Sequence, residues 1–155
     1  MSFALQSPAF PDGRSIPRRY ARDGGNVSPP LVWQDAPEET KSFLLVVDDP
    51  DAPSGVFHHW LVYDMDARSD RLAEDATAGV ANGSLRQAVN DFGNRQYDGP
   101  QPPRGDGPHH YHFRLLALDV ERLNVPDGAS IREIMREASS HLITETETVG
   151  TFEAA

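Results

Sequence analysis

The apolar residues of this chain fall in short runs separated by clusters of proline and glycine, which predicts strands joined by shaped loops rather than a helical bundle. Phe43-Leu44-Leu45-Val46-Val47 is a continuous branched run of strand length, which predicts a strand buried on both faces in mid-sheet. Leu31-Val32-Trp33 follows Pro29-Pro30, whose missing amide donors suit a sheet edge or the start of a strand. Over residues 57–65, alternation puts Phe57, His59, Leu61 and Tyr63 on one face and His58, Trp60 and Val62 on the other. Over residues 109–118 it separates His109, Tyr111, Phe113 and Leu115 from His110, His112, Arg114 and Leu116.

One helix stands out. Ser130 opens a capping box with Glu133, and Ile131, Ile134, Met135, Ala138 and Leu142 recur at helical spacing, so the helix is expected to end near His141. Residues 143–152, with alternating Thr and Glu, predict a solvated strand, while the polar stretch 66–77 fits either a loop or a short helix. The fold class is therefore mainly β, a β-rich α+β domain. Trp33 and Trp60 read as core residues.

With 155 residues, 38% of them hydrophobic, the chain suits a single domain spanning residues 1–155. Its net charge of -10 opposes a phosphate backbone or an anionic bilayer, so neither nucleic acid nor a membrane surface is an expected partner. Cysteine is absent, which removes disulfides, thiolate metal sites and a thiol nucleophile from consideration. No cationic-then-apolar leader or spanning run is apparent, and a cytoplasmic location is expected.

Candidate chemistry gathers in two proline-rich stretches. Asp49 and Asp51 flank Pro50 at the end of the buried run, where their carboxylates either face a cavity or cap turns by accepting backbone N–H bonds. The Ala52-Pro53 bond is open to either isomer. His110 and His112 share a strand face in a metal-ligand pattern, but Leu116 and Leu118 follow where a glutamate ligand would be needed, and no metal or cofactor is expected. Ser54 and Ser84 lack the G-x-S-x-G context of a hydrolase nucleophile, and the loop at 99–108 lacks a phosphate-cradling lysine. Two histidines, two aspartates and a tyrosine can together bind a small anionic or zwitterionic group, with imidazole and phenol donating and carboxylate accepting.

These stretches resemble signatures of the phosphatidylethanolamine-binding protein family, also called Raf kinase inhibitor-like proteins, in its short bacterial and archaeal branch. Ser28-Pro29-Pro30-Leu31-Val32-Trp33, Asp49-Pro50-Asp51-Ala52-Pro53, His59-Trp60, and Gly99 to Gly105 with His109 and Tyr111 carry the resemblance across almost the whole chain. It implies two antiparallel sheets with a few peripheral helices and an anion pocket at one end. It implies that Asp49, His59, Pro103, His109 and Tyr111 occupy pocket positions, with Asp51, Pro53 and Gly99 supporting the pocket's shape. Homodimers occur among bacterial relatives, so a homodimer is a further expectation. Two departures stand out: His110 replaces the arginine usual between His and Tyr, and Gln101 stands where short relatives carry cysteine or a small residue. The expected function is binding of a small anionic or phosphorylated ligand with a phosphoryl-headgroup-like pocket, and modulation or inhibition of a partner enzyme. The alternative is a hydrolase or metal-dependent enzyme built on the Asp/His pocket.

Overall fold

The run at 43–47 forms the middle of β3 (Ser42–Asp49), all of whose residues are buried. The computed structural model describes residues 2–76 and 85–155, so Met1, Thr77 and Ser84 lie outside the described residues. The remaining strands are β1 (Ala4–Gln6), β2 (Leu31–Gln34), β4 (Phe57–Asp66), β5 (Arg71–Leu72), β6 (Arg86–Gln87), β7 (His109–Leu118) and β8 (Leu142–Phe152). They make two sheets, one ordered β1-β2-β5 and one ordered β6-β4-β3-β7-β8, with every pairing antiparallel.

The central position of β3 explains its lack of polar alternation. Phe43, Leu45 and Val47 point into the layer between the sheets, where they meet Leu5, Leu31, Trp33 and Leu72 of the smaller sheet. Leu44 and Val46 point the other way, against Ile131, Ile134 and Ala138 of the helix Ile131–Ser139. The helix starts with the expected capping box: Glu133 N donates to Ser130 Oγ at 3.1 Å, and Ser130 N donates to Glu133 Oε1 at 3.2 Å. Leu142 does not belong to its apolar face; it opens β8 and is 39% exposed. Among the described residues the other helical element is a 3-10 turn, Arg18–Tyr20.

Pro29-Pro30 precedes β2, which is the middle strand of its sheet rather than an edge. The described part of the 66–77 stretch is neither plain loop nor helix, because Arg71–Leu72 pairs with β2. Simple alternation fails in β4. Val47 pairs with Trp60 and Asp48 with His58, leaving His59 as an extra residue opposite no partner, a β-bulge. Beyond it Trp60 and Val62 enter the inter-sheet layer, whereas Leu61 and Tyr63 face the helix, the reverse of an unbroken alternation from Phe57. β7 keeps its period: His109, Tyr111, Phe113 and Leu115 are buried, and His110, His112 and Arg114 are on the more exposed side.

Candidate functional site

A cavity of about 260 Å³ opens at one end of the sheets. The end of β3 supplies Asp49 and the turn after it Ala52, Pro53 and Ser54; β4 supplies Phe57 and His59; β7 supplies His109 and Tyr111; the long connection before β7 supplies Phe92, Gln101, Pro102 and Pro103. Of the residues singled out in the sequence, Asp49, Pro53, His59, Pro103, His109 and Tyr111 line it. Asp51 and Gly99 do not. The Asp51 carboxylate accepts the His110 backbone N–H at 2.7 Å and meets its Nδ1 at 2.8 Å, fastening the turn to the first residues of β7. Gly99 packs so closely that a Cβ there would stand 1.9 Å from the Tyr20 carbonyl oxygen, so only glycine fits.

Both readings of Asp49 hold at once. One oxygen accepts the Asp51 N–H at 2.8 Å, an Asx-type turn, and the other meets His109 Nδ1 at 2.6 Å. His109 Nε2 meets the Asp106 carboxylate, also at 2.6 Å. Burial disfavours a charged imidazole here, but hydrogen bonds to two carboxylates outweigh it and hold the His109 pKa above the usual range. With a carboxylate oxygen 2.6 Å from each ring nitrogen, the geometry suits an imidazolium that donates to both aspartates.

His59 is held in the opposite state. Its bulged position turns the ring against Phe57, Phe92 and Tyr111, with centroids 5.1, 5.4 and 5.2 Å away. Burial lowers its pKa, and Nδ1 donates to the Asp98 carbonyl at 2.8 Å, which leaves Nε2 as an acceptor in a neutral ring. Asp98 is itself braced: its carboxylate accepts from Asn26, Asn90 and Asn94 at 2.9 to 3.0 Å and from Gln96 at 3.2 Å. Burial raises the Asp98 pKa, but those amide bonds prevail and hold it below the usual carboxylate value.

Tyr111 carries the most telling atom of the site. Its side chain is buried at 1% exposure, and its hydroxyl has no well-formed hydrogen bond, although the Asp49 carboxylate and the Gln101 backbone amide lie close enough to act on it. Burial first, and then the Asp49 charge, pushes its ionisation far up, so it stays a neutral phenol.

Several contributors carried no sequence signal. Phe92 comes from an irregular loop, and the Arg22 guanidinium lies 4.1 Å above its ring while donating to Gln101 Oε1 at 2.9 Å. Gln101 also donates to Asp23 at 2.9 Å, so this departure from the resembling pattern lies in the cavity wall, while His110 points away from it and pairs with Asp51. No peptide bond among the described residues is cis, Ala52-Pro53 included. His110 and His112 pair with different carboxylates, Asp51 and Glu147, and among the described residues no cluster of three or more metal-ligating side chains forms. Among the described residues no helix is long and apolar enough to cross a membrane.

The family model of the phosphatidylethanolamine-binding proteins matches residues 6–153. The chain belongs to that family. A UPF0098 protein of Aquifex aeolicus is 42% identical to it over 94% of this chain and 85% of the relative. The Escherichia coli protein YbcL, a member of the same family, superposes with a TM-score of 0.91 at 32% identity and covers 100% of both chains. The Chlamydia trachomatis homologue CT736 gives 0.88 at 36% identity, covering 99% of each. The bacterial and archaeal branch of the phosphatidylethanolamine-binding proteins is therefore the setting for the cavity, and two antiparallel sheets are its fold.

Proposed function

We propose that the protein binds a small ligand through a phosphoryl group seated in the cavity at Asp49, His59, His109 and Tyr111, and that it does so without catalysing a reaction. The observation that carries this reading is the buried Tyr111 hydroxyl, which lies beside a carboxylate without a well-formed hydrogen bond. Leaving a buried donor unsatisfied costs about 1–3 kcal/mol, so a ligand that supplies an acceptor recovers that loss. Asp49 asks for the reverse, a proton donor. A phosphate monoester meets both demands, because near neutral pH it has acceptor oxygens and an ionisable proton whose pKa is about 6. The neutral His59 Nε2 is a second acceptor for that proton or for an amine on the ligand. Phe57, Phe92, Pro53 and Pro102 supply apolar walls that keep water out and strengthen the polar contacts. A phosphorylated side chain on a partner protein has the same chemistry, which makes modulation of a partner enzyme an extension of this reading.

A hydrolase is the second reading, since Ser54 lines the cavity near an Asp–His pair. Both nitrogens of His109 are taken by carboxylates, however, so it has no free lone pair with which to deprotonate a nucleophile. The test is a thermal-shift comparison of wild type and His109→Ala with inorganic phosphate, phosphoethanolamine and a phosphoserine peptide. A ligand that binds only the folded state raises the Tm by mass action. A shift in wild type that vanishes in His109→Ala is the expected result. No shift with any probe, or equal shifts in both proteins, overturns the reading.

A further inference from the structure

The two carboxylates that hold His109 differ in how firmly they are held. Asp49 is 5% exposed in its side chain, and its second oxygen is tied to the turn through the Asp51 N–H. Asp106 is 43% exposed, and among the described residues its carboxylate has no hydrogen-bond partner except His109 Nε2. It sits on a loop between Gly105 and Gly107, with φ of 78° and 75°, and neither glycine has a heavy atom within 4 Å of the position a Cβ would take. Such a loop can rearrange its backbone without steric cost. Two carboxylates around one imidazolium also leave a local negative charge, which repels an incoming anion. Replacing the Asp106 carboxylate by a ligand's oxyanion keeps both the charge balance and the hydrogen bond on Nε2.

Building on the phosphoryl-binding reading, we propose that Asp106 is a tethered competitor that sets the ligand's charge class: it occupies His109 Nε2 in the free protein and turns outward on Gly105 and Gly107 when an oxyanion takes its place. Only a strong anionic acceptor displaces it, and a neutral ester or amide does not. The contact lowers apparent affinity by the fraction of molecules in which Asp106 is out, so a fraction of about one-tenth weakens binding about ten-fold.

Calorimetric titration of inorganic phosphate and phosphoethanolamine into the full chain tests this, with wild type, Asp106→Asn and Asp106→Ala compared. Asp106→Ala is expected to bind both probes about ten-fold more tightly, with the neutral but still hydrogen-bonding Asp106→Asn in between. Acetate should inhibit phosphate binding more strongly in Asp106→Ala than in wild type, because a free carboxylate then reaches the vacated imidazolium. If wild type binds but the variants bind equally or more weakly, the competitor role is overturned and the phosphoryl reading stands. If none of the three proteins takes up either probe, the phosphoryl reading falls and this inference falls with it.

Discussion

Asp48 and Asp49 are neighbours on one strand, and each meets a histidine at 2.6 Å, yet they face opposite sides of the sheet and end in different kinds of place. On the outer side, Asp48 divides its oxygens between His58 and Arg114, the latter at 2.7 Å, and Arg114 continues to Glu145 at 3.7 Å. Burial raises the Asp48 pKa, but the bonds to His58 and Arg114 prevail and lower it. No buried side-chain polar atom of that cluster lacks a partner: among the described residues the buried side-chain atoms without a well-formed hydrogen bond are the Thr40 and Tyr111 hydroxyls. On the inner side, Asp49 and His109 line a cavity next to one of those two hydroxyls. A close Asp–His pair at a strand end is therefore no sign of a binding site by itself. Open space and a donor without a well-formed bond make the difference.

The comparison breaks most readily through the outer pair. Asp48→Ala leaves Arg114 and His58 without their shared anion and is expected to lower stability by about 2–3 kcal/mol, below the fully buried case because both partners are partly exposed. Urea unfolding measures the loss, and the folded fraction should bind phosphoethanolamine as wild type does. Asp49→Asn should do the converse to ligand uptake. Removing the charge that pairs with His109 and accepts from the ligand is expected to weaken phosphoethanolamine binding about thirty-fold, read by calorimetry, since hydrogen bonds to charged groups contribute about 1.5–3 kcal/mol. Equal binding losses in the two variants would erase the distinction drawn between the two sides.

Tyr111→Phe sharpens it further. Deleting a buried hydroxyl that has no well-formed hydrogen bond should raise stability by about 1 kcal/mol while weakening phosphoethanolamine binding about five-fold, opposite signs that packing alone does not produce. Denaturant titration and calorimetry on the same preparation check both.

The sequence carried the strands that matter to this contrast better than it carried the cavity's walls. The apolar run of β3 and the period of β7 were legible because burial on known faces dictates their composition, and the pocket positions implied by the family resemblance included six of the lining residues. His59 was legible as a residue but its setting was not. A bulge inserts one residue without changing composition, so alternation placed Leu61 and Tyr63 on the wrong side beyond it. Phe92, Arg22 and the Asn26–Asn90–Asp98 brace come from irregular segments whose contacts are set by long-range packing, with no period to read. Asp106 lies in the loop at 99–108, and only its 2.6 Å contact with His109 distinguishes it from a turn residue.

The smallest effects are those of pH. His58 and His109 have pKa values raised above the ordinary 6.5, so their contributions to stability are full below pH 6.5 and are lost as pH rises through their folded-state values. Burial depresses the His59 pKa, so its contribution is full above pH 6.5 and is lost as pH falls through its folded-state value. Imidazole NMR titration should find His58 and His109 titrating above 6.5 and His59 below it. His58→Gln should reduce the loss of stability on the alkaline side to the part that belongs to His109, without changing the acid side that belongs to His59.

The most direct measurement is a crystal structure of the protein grown with phosphoethanolamine. The account predicts a phosphoryl group in the cavity, with one oxygen accepting from the Tyr111 hydroxyl and another against Asp49 and His109. A phosphoryl group bound instead on the His58–Arg114 side, or a cavity left empty at saturating ligand, would contradict it.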